Sequence, residues 1–305
     1  MLQSNPILES FGNARTIRND NSSRFGKYIE IQFSKTGTLS GASIQTYLLE
    51  KVRLVNQMPG ERNYHIFYEL LQGFSDEEFD KYFIGDLMAE DFKMISMSGT
   101  YDRRDGVEDF ETYTDLRDAM NIMNFPKEEQ DKIMAATCVC LHALNLDFIE
   151  LSDDECKIDE ENEHLDAVLS LLGVSYEQLN KALCYFSIHA GKETHERSLS
   201  KEKSEKGLQG LVKAFYGALF NYLVHRVNAS ITVKETKEGG KPSRSRGGSS
   251  KASSIGVLDI FGFESFKTNS FEQLCINYCN ETLQQQFNMF VLKNEQDEYE
   301  REGKG

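Results

Sequence analysis

Apolar residues along this chain recur in two rhythms, and the rhythm predicts each element. Leu208, Leu211, Val212, Phe215, Leu219, Phe220, Leu223, Val224 and Val227 fall at offsets of three and four, the stripe of an amphipathic helix. Tyr64, Phe67, Tyr68 and Leu71 repeat that spacing over residues 61–71, and further helices are expected near 113–123, near 126–145 and through Leu172. Asn5-Pro6 opens a first helix with Ile7, Leu8 and Phe11 inward, broken at Gly12-Asn13. Ser75-Asp-Glu-Glu78, Ser175-x-x-Gln178 and Ser270-Phe-Glu-Gln273 are capping boxes, in which two side chains satisfy the orphan N–H groups of a helix start. The last of these opens a run with helical spacing from Leu274 through Tyr278, Leu283, Phe287 and Phe290 to Tyr299, about 45 Å of helix. Such a helix is either a lever or a static core element.

Alternation supplies the strands. Ile29, Ile31 and Phe33 alternate with Tyr28, Glu30 and Gln32, Ser34-Lys-Thr-Gly37 makes a turn, and residues 39–49 return as the partner of a hairpin. Leu146 to Leu151 reads as a short strand. Ile255, Val257, Leu258 and Ile260 form a short apolar run, the signature of a buried parallel strand. Residues 18–26, 85–106, the acidic run 153–163 and the polar run 186–206 read as loops. Lys234 to Ser254, Gly/Ser-rich with six Lys or Arg, reads as a disordered basic insertion or a site for anions.

Length and charge narrow the picture. The 305 residues suffice for one large domain or two ordinary ones, and 39% hydrophobic residues can build a substantial core. A net charge of −15 excludes a general nucleic-acid binder, which needs a basic face. The six cysteines (138, 140, 156, 184, 275 and 279) form no C-x-x-C pair and read as reduced thiols of a cytosolic protein. No apolar run reaches the roughly 20 residues of a membrane-spanning helix.

Chemistry concentrates in two loops. Asp259 falls near the end of the late strand, where open sheets hold ligands, although an Asp there also serves as a turn or cap residue. Gly262 lets a backbone N–H approach a phosphate, and Glu264 follows. Asp, Gly and Glu in that order suit a loop that senses a γ-phosphate beside Mg²⁺. Much earlier, Ser22 and Ser23 offer one hydroxyl for Mg²⁺ and one for a γ-phosphate or its attacking water. Arg24 can pair with a carboxylate across the site, and Glu264 is the expected partner; with nucleotide bound, that pair would close the pocket.

At these residues the chain resembles the myosin motor domain. Asn19-Asp-Asn-Ser-Ser-Arg-Phe-Gly26 is similar to switch I of that family and Asp259-Ile-Phe-Gly-Phe-Glu264 to switch II. Phe11-Gly-Asn-Ala-Arg-Thr16, Tyr47-Leu-Leu-Glu-Lys51, Glu61-Arg-Asn-Tyr-His-Ile-Phe-Tyr68 and Asn269-Ser-Phe-Glu-Gln-Leu-Cys-Ile-Asn-Tyr278 resemble myosin segments in the same order. A kinesin-like motor shares the Ser-Ser-Arg logic but continues with Ser-His where this chain has Phe25-Gly26.

The resemblance implies an α/β fold, a partial P-loop NTPase-like head in which a helical subdomain is attached to a few strands of a central twisted sheet. It implies switch I and the sheet hairpin over 1–50, the upper 50-kDa subdomain over 51–230, a flexible basic linker over 231–254, and switch II with the relay helix over 255–305. ATP and Mg²⁺ are the implied cofactors. Asn19 would contact the phosphates, Ser22 place the lytic water, and Ser23 coordinate Mg²⁺ with Asp259 near its shell. The Gly262 amide would touch the γ-phosphate, and Arg24 and Glu264 would form the gate. Actin filaments are the implied partner, through Ile188, Lys192, Glu193 and Arg197. The acidic Glu193 implies activation that does not await phosphorylation. Light chains or calmodulin would bind only through regions outside this sequence, and the implied location is the cytoplasmic actin cytoskeleton.

One departure stands out. The family's phosphate loop ends in Gly-Lys-Ser/Thr, whereas the Gly-Lys pairs at 26–27, 191–192, 240–241 and 303–304 are followed by Tyr, Glu, Pro and Gly. The chain therefore reads as an internal piece of a motor ATPase, inactive alone, or as a catalytically silent module that only binds actin or another partner.

Overall fold

Pro6 lies in the first turn of helix α1 (Asn5–Gly12), where its missing N–H breaks no hydrogen bond. The computed structural model of the chain describes residues 2–34, 36–190, 193–231, 253–265 and 269–303. Strands β1 (Asn13–Ala14) and β2 (Ser22–Ser23) pair antiparallel and pinch off the loop between them. β3 (Gly26–Phe33) and β4 (Leu39–Tyr47) form the hairpin that the alternation predicts, Ile29 opposite Ile44.

Helix α2 (Ile66–Gly73) begins at Ile66 rather than Glu61. The preceding residues are held extended against β1: Arg62 N donates to Arg15 O, His65 N donates to Asn13 O, and Tyr64 bridges Ala14. Helix α3 (Asp76–Lys81) carries the Ser75–Glu78 capping box. The stretch expected to be irregular holds a 3₁₀ turn (Ala89–Asp91) and one short α-helix, α4 (Lys93–Ser96). Helices α5 (Asp109–Ile122) and α6 (Lys127–Ala143) follow as their spacing implies.

Two expected loops are hairpins. Within the acidic run, β6 (Glu155–Ile158) pairs with β5 (Phe148–Ser152), the short strand expected near 146–151, because Cys156 and Ile158 turn into the core while the acidic side chains stay outside. After α7 (Leu165–Leu172) and the capped α8 (Tyr176–Cys184), β7 (Tyr185–Ala190) pairs with β8 (Glu193–Ser198), where a polar loop was expected. β8 carries no apolar residue, so half of the pair has no hydrophobic alternation to read.

Helix α9 (Lys201–Ile231) is the axis of the core. At 31 residues it is about 46 Å long, and Leu208, Val212, Tyr216, Phe220, Leu223 and Val227 are buried along it. Tyr216 stacks on Tyr64 at 5.2 Å, and its hydroxyl donates to Phe11 O at 2.8 Å. Asn228 clamps both backbone groups of Ile44, which fixes β4 to the helix.

Strand β9 (Ser253–Asp259) joins the sheet in the order β4-β3-β9. The expectation of a buried parallel strand is corrected here: β9 runs antiparallel to β3, with Val257 opposite Ile29. It is also exposed along its whole length, Ile255 at 56%. No other described strand lies beyond it, so it is an edge strand among the described residues. The expected linker lies outside the described residues up to residue 252. Helix α10 (Phe271–Phe287) starts at the Ser270–Gln273 capping box and continues through a π-helical segment (Asn288–Lys293) into α11 (Asn294–Arg301).

Candidate functional site

Arg24 is fixed by its backbone before its side chain does anything. Its N–H donates to Gly12 O at 2.7 Å and its carbonyl accepts from Glu50 N at 2.9 Å. The next residue, Phe25, packs edge-on against Phe220 at 4.9 Å. Gly12 makes room for that ring: a Cβ there would lie 2.3 Å from Phe25 Cε1.

From this anchor the guanidinium reaches two acids. Arg24 Nη2 donates to Glu264 Oε1 at 2.9 Å, and Nε donates to Glu50 Oε2 at 2.8 Å. Arg53 Nε donates to the same Glu50 oxygen at 2.8 Å, and its Nη1 donates to Glu61 Oε2 at 2.9 Å. Acids and bases thus alternate through a nearly dry row, with Arg24 and Arg53 each 4% exposed. Burial works against charge on Arg24, but Glu50 and Glu264 outweigh it and hold the guanidinium above its ordinary value. Burial likewise opposes charge on Glu50, where Arg53 and Arg24 prevail and keep the carboxyl below the usual range.

Glu264 is tied in turn to the start of α10. Its N–H donates to Asn277 Oδ1 at 2.8 Å, and Asn277 Nδ2 donates back to Glu264 O at 2.7 Å. Gln273, the capping-box amide, donates to Glu264 Oε2 at 3.3 Å. Three hydrogen bonds therefore tie the loop to the root of the long helix.

These contacts enclose a crevice of about 220 Å³ whose walls include Ser22, Ser23, Arg24, Glu50, Arg53, Gly262 and Glu264. Two loops separated by some 240 positions meet across it, and the comparisons with known proteins agree with what that conjunction implies. The sequence matches the myosin head (motor domain) family over residues 1–304. It is 43% identical to Myosin-16 of Arabidopsis thaliana, 42% to Unconventional myosin IC of Drosophila melanogaster and 42% to Myosin-I heavy chain of Dictyostelium discoideum. Each match covers 99% of this chain. The chain belongs to the myosin head family. It spans 23%, 28% and 12% of those three relatives, respectively.

Of the residues expected at a myosin nucleotide site, Ser22, Ser23, Arg24, Gly262 and Glu264 line this one crevice. The hydroxyls of Ser22 and Ser23 take no partner among the described residues, and Gly262 faces open space. Both features suit a phosphate and its cation.

Asn19 and Asp259 do not line the crevice. The Asn19 side chain is spent on its own loop, accepting from Asn21 N at 3.0 Å. Asp259 pairs with Lys27 at the end of β9 and is exposed. Among the described residues no group of three or more His, Cys, Asp or Glu side chains could hold a metal ion. Magnesium bound through substrate phosphates needs only one or two protein ligands, so Ser23 fits that role without such a cage.

On the expected actin-facing segment, Arg197 is exposed on β8 opposite Phe186, and Ile188 pairs with His195 in the hairpin register. Lys192 lies outside the described residues, and Glu193 begins β8. No described helix is long and apolar enough to cross a membrane.

The sequence reading missed Glu50, Arg53 and Glu61. Their one local signal is the Glu50–Arg53 spacing, which places opposite charges on neighbouring turns of a 3₁₀ segment.

Proposed function

We propose that this chain is part of an actin-based motor that couples ATP hydrolysis to movement, contributing switch I, switch II, the relay helix and part of the actin-binding surface. The observation that carries this reading is the Arg24–Glu264 pair, 2.9 Å long and almost dry, at the meeting of the two serine- and glycine-bearing loops. In that reading residues 1–50 carry switch I and the sheet hairpin, 51–230 the upper 50-kDa subdomain, 231–254 a basic linker, and 255–305 switch II with the relay helix. Ser23 would hold Mg²⁺, and bound Mg²⁺ supplies charge neutralisation at the phosphates. Ser22 positions the attacking water, the Gly262 amide donates to the γ-phosphate, and Arg24 with Glu264 excludes bulk solvent. The β7–β8 hairpin faces actin, and the location is the actin cytoskeleton.

A second reading, a catalytically silent module that only binds actin or another partner, is favoured by one observation: none of the four Gly-Lys pairs is followed by Ser or Thr. Two measurements separate the readings. Residues 1–305 alone are expected to bind ATP weakly or not at all, because the lysine and backbone cradle for the phosphates is missing from them. In a complete head carrying these residues, Arg24→Ala and Glu264→Ala are each expected to cut actin-stimulated ATP turnover by roughly 100-fold or more. Unchanged turnover in both variants would refute the gate, and a complete head without turnover would establish the silent module.

A further inference from the structure

A second cavity, of about 410 Å³, lies between α1, the loop carrying Asn21, α2 and α5. Two of its lining side chains, His65 and Glu69, are each only 2% exposed and each present an atom without a hydrogen-bond partner, His65 Nδ1 and Glu69 Oε2. Their chemistry follows from the neighbours. Asn21 Nδ2 donates to Glu9 Oε2 at 2.9 Å, which turns the Asn21 oxygen toward His65. That oxygen lies 3.1 Å from His65 Nε2 and also accepts from Asn13 Nδ2, so Nε2 must be the protonated ring nitrogen. Burial, and then the charge of Arg62, keeps the imidazole neutral by holding its pKa well below the ordinary value. His65 Nδ1 is therefore a bare lone pair, and Glu69 Oε2 is a second acceptor without a donor.

Acids outnumber bases in the rest of the lining. Glu9, Asp105 and Asp115 join Glu69, and the single arginine, Arg103, is bound to Asp105 through both Nε and Nη2. Buried acceptors without donors, inside a cavity of net negative charge, call for an occupant that brings both N–H groups and positive charge. A bare metal ion does not fit, because no three such side chains converge among the described residues. Acids spread along the cavity suit an elongated organic cation.

We propose that this cavity binds an aliphatic diamine in its diammonium form, one end donating to Glu69 Oε2 and His65 Nδ1, the other directed to the outer acids Glu9 and Asp115. Asn21 lines the same cavity and immediately precedes Ser22, so occupancy braces the loop that carries Arg24. The site is separate from the nucleotide crevice and stands whether or not the motor reading does.

Proton linkage gives the site a signature. Burial first, and then Asp109, pushes Glu69 up to about 7, against the nearby hydroxyls of Ser10 and Thr112 and the charge of Arg62. Ser10 and Glu9 face it from α1, Arg62 and His65 from the entry to α2, Arg103 and Asp105 from the loop, and Asp109, Thr112 and Asp115 from α5. A cation needs the carboxylate, so affinity falls about tenfold for each pH unit below that value.

The test is calorimetric titration of putrescine into the 305-residue chain at about pH 8 and about pH 6, with its uncharged diol analogue as control. Saturable one-site binding is expected, weaker by about tenfold at the lower pH and by at least that in Glu69→Gln, with no binding of the diol. Asp115→Asn, at an exposed position, is expected to weaken binding while leaving the circular-dichroism melt unchanged. Absence of saturable heat, meaning a cavity that holds only water, overturns the proposal. So does equal affinity for the diol, or an affinity indifferent to both substitutions.

Discussion

Arg24 has two carboxylate partners, and this makes its replacement unequal to that of either one. Arg24→Ala strands Glu264 in a nearly dry site and leaves Glu50 to Arg53 alone, and breaking a buried pair in this way costs about 3–5 kcal/mol. Glu264→Ala leaves Arg24 on Glu50 and is expected to cost about 1–2 kcal/mol. Urea unfolding midpoints of the two variants test that ranking, and equal losses would show that Glu50 does not share the arginine. Arg24 and Glu264 were legible in the sequence because each sits in a loop whose neighbours share one chemistry, two serines beside one and a glycine beside the other. Glu50, Arg53 and Glu61 were not. A Glu and an Arg three positions apart look like a solvated surface pair, and only the packing of segments hundreds of positions away makes them buried.

Helices α6 and α7 are joined by a proton-sensitive contact. His142 Nε2 donates to Tyr82 O at 3.1 Å, which leaves His142 Nδ1 to accept from His164 Nδ1 at 3.0 Å, while His164 Nε2 accepts from Asn145 at 2.7 Å. Every nitrogen has a role only while both rings are neutral. Burial first, relieved in part by the Tyr82 carbonyl, lowers His142 to about 4 from 6.5, and burial also lowers His164. The unfolded chain therefore binds more protons in that window. Stability is complete above 6.5 and drains away as pH falls toward 4, by about 3 kcal/mol for His142. His142→Asn is expected to flatten that slope in urea titrations across the same window, and an unchanged slope would contradict the assignment. At this scale the capping boxes at Ser75, Ser175 and Ser270 were readable because they are local, two side chains answering N–H groups within one turn. The direction of β9 was not readable, because a strand's own residues do not say which way its partner runs. The β7–β8 hairpin escaped notice for the related reason that β8, Glu193–Ser198, carries no apolar residue.

Among the described residues, a well-covered core surrounds α9, while side chains on β9 and α10 stay exposed. Ile255 and Val257 on β9 are about half exposed, and Phe271, Leu274 and Tyr278 on α10 lie open to solvent. Exposed apolar side chains in this number are surface that a hydrophobic probe can reach. The native chain is expected to enhance anilinonaphthalene sulfonate fluorescence while its helical circular dichroism stays intact, and a folded chain that leaves the dye dark would contradict the exposure. The α10–α11 rod carries an interruption at residues 288–293, where the hydrogen bonds skip one extra residue. Such an interruption behaves as a dislocation in a one-dimensional lattice. Healing it into regular geometry would turn everything beyond it by about 100° and advance it by about 1.5 Å. The acidic tip bearing Glu295, Asp297, Glu298 and Glu300 would then face another quarter of the surroundings, so a single slipped bond near the middle of the rod is read out as torque at its end.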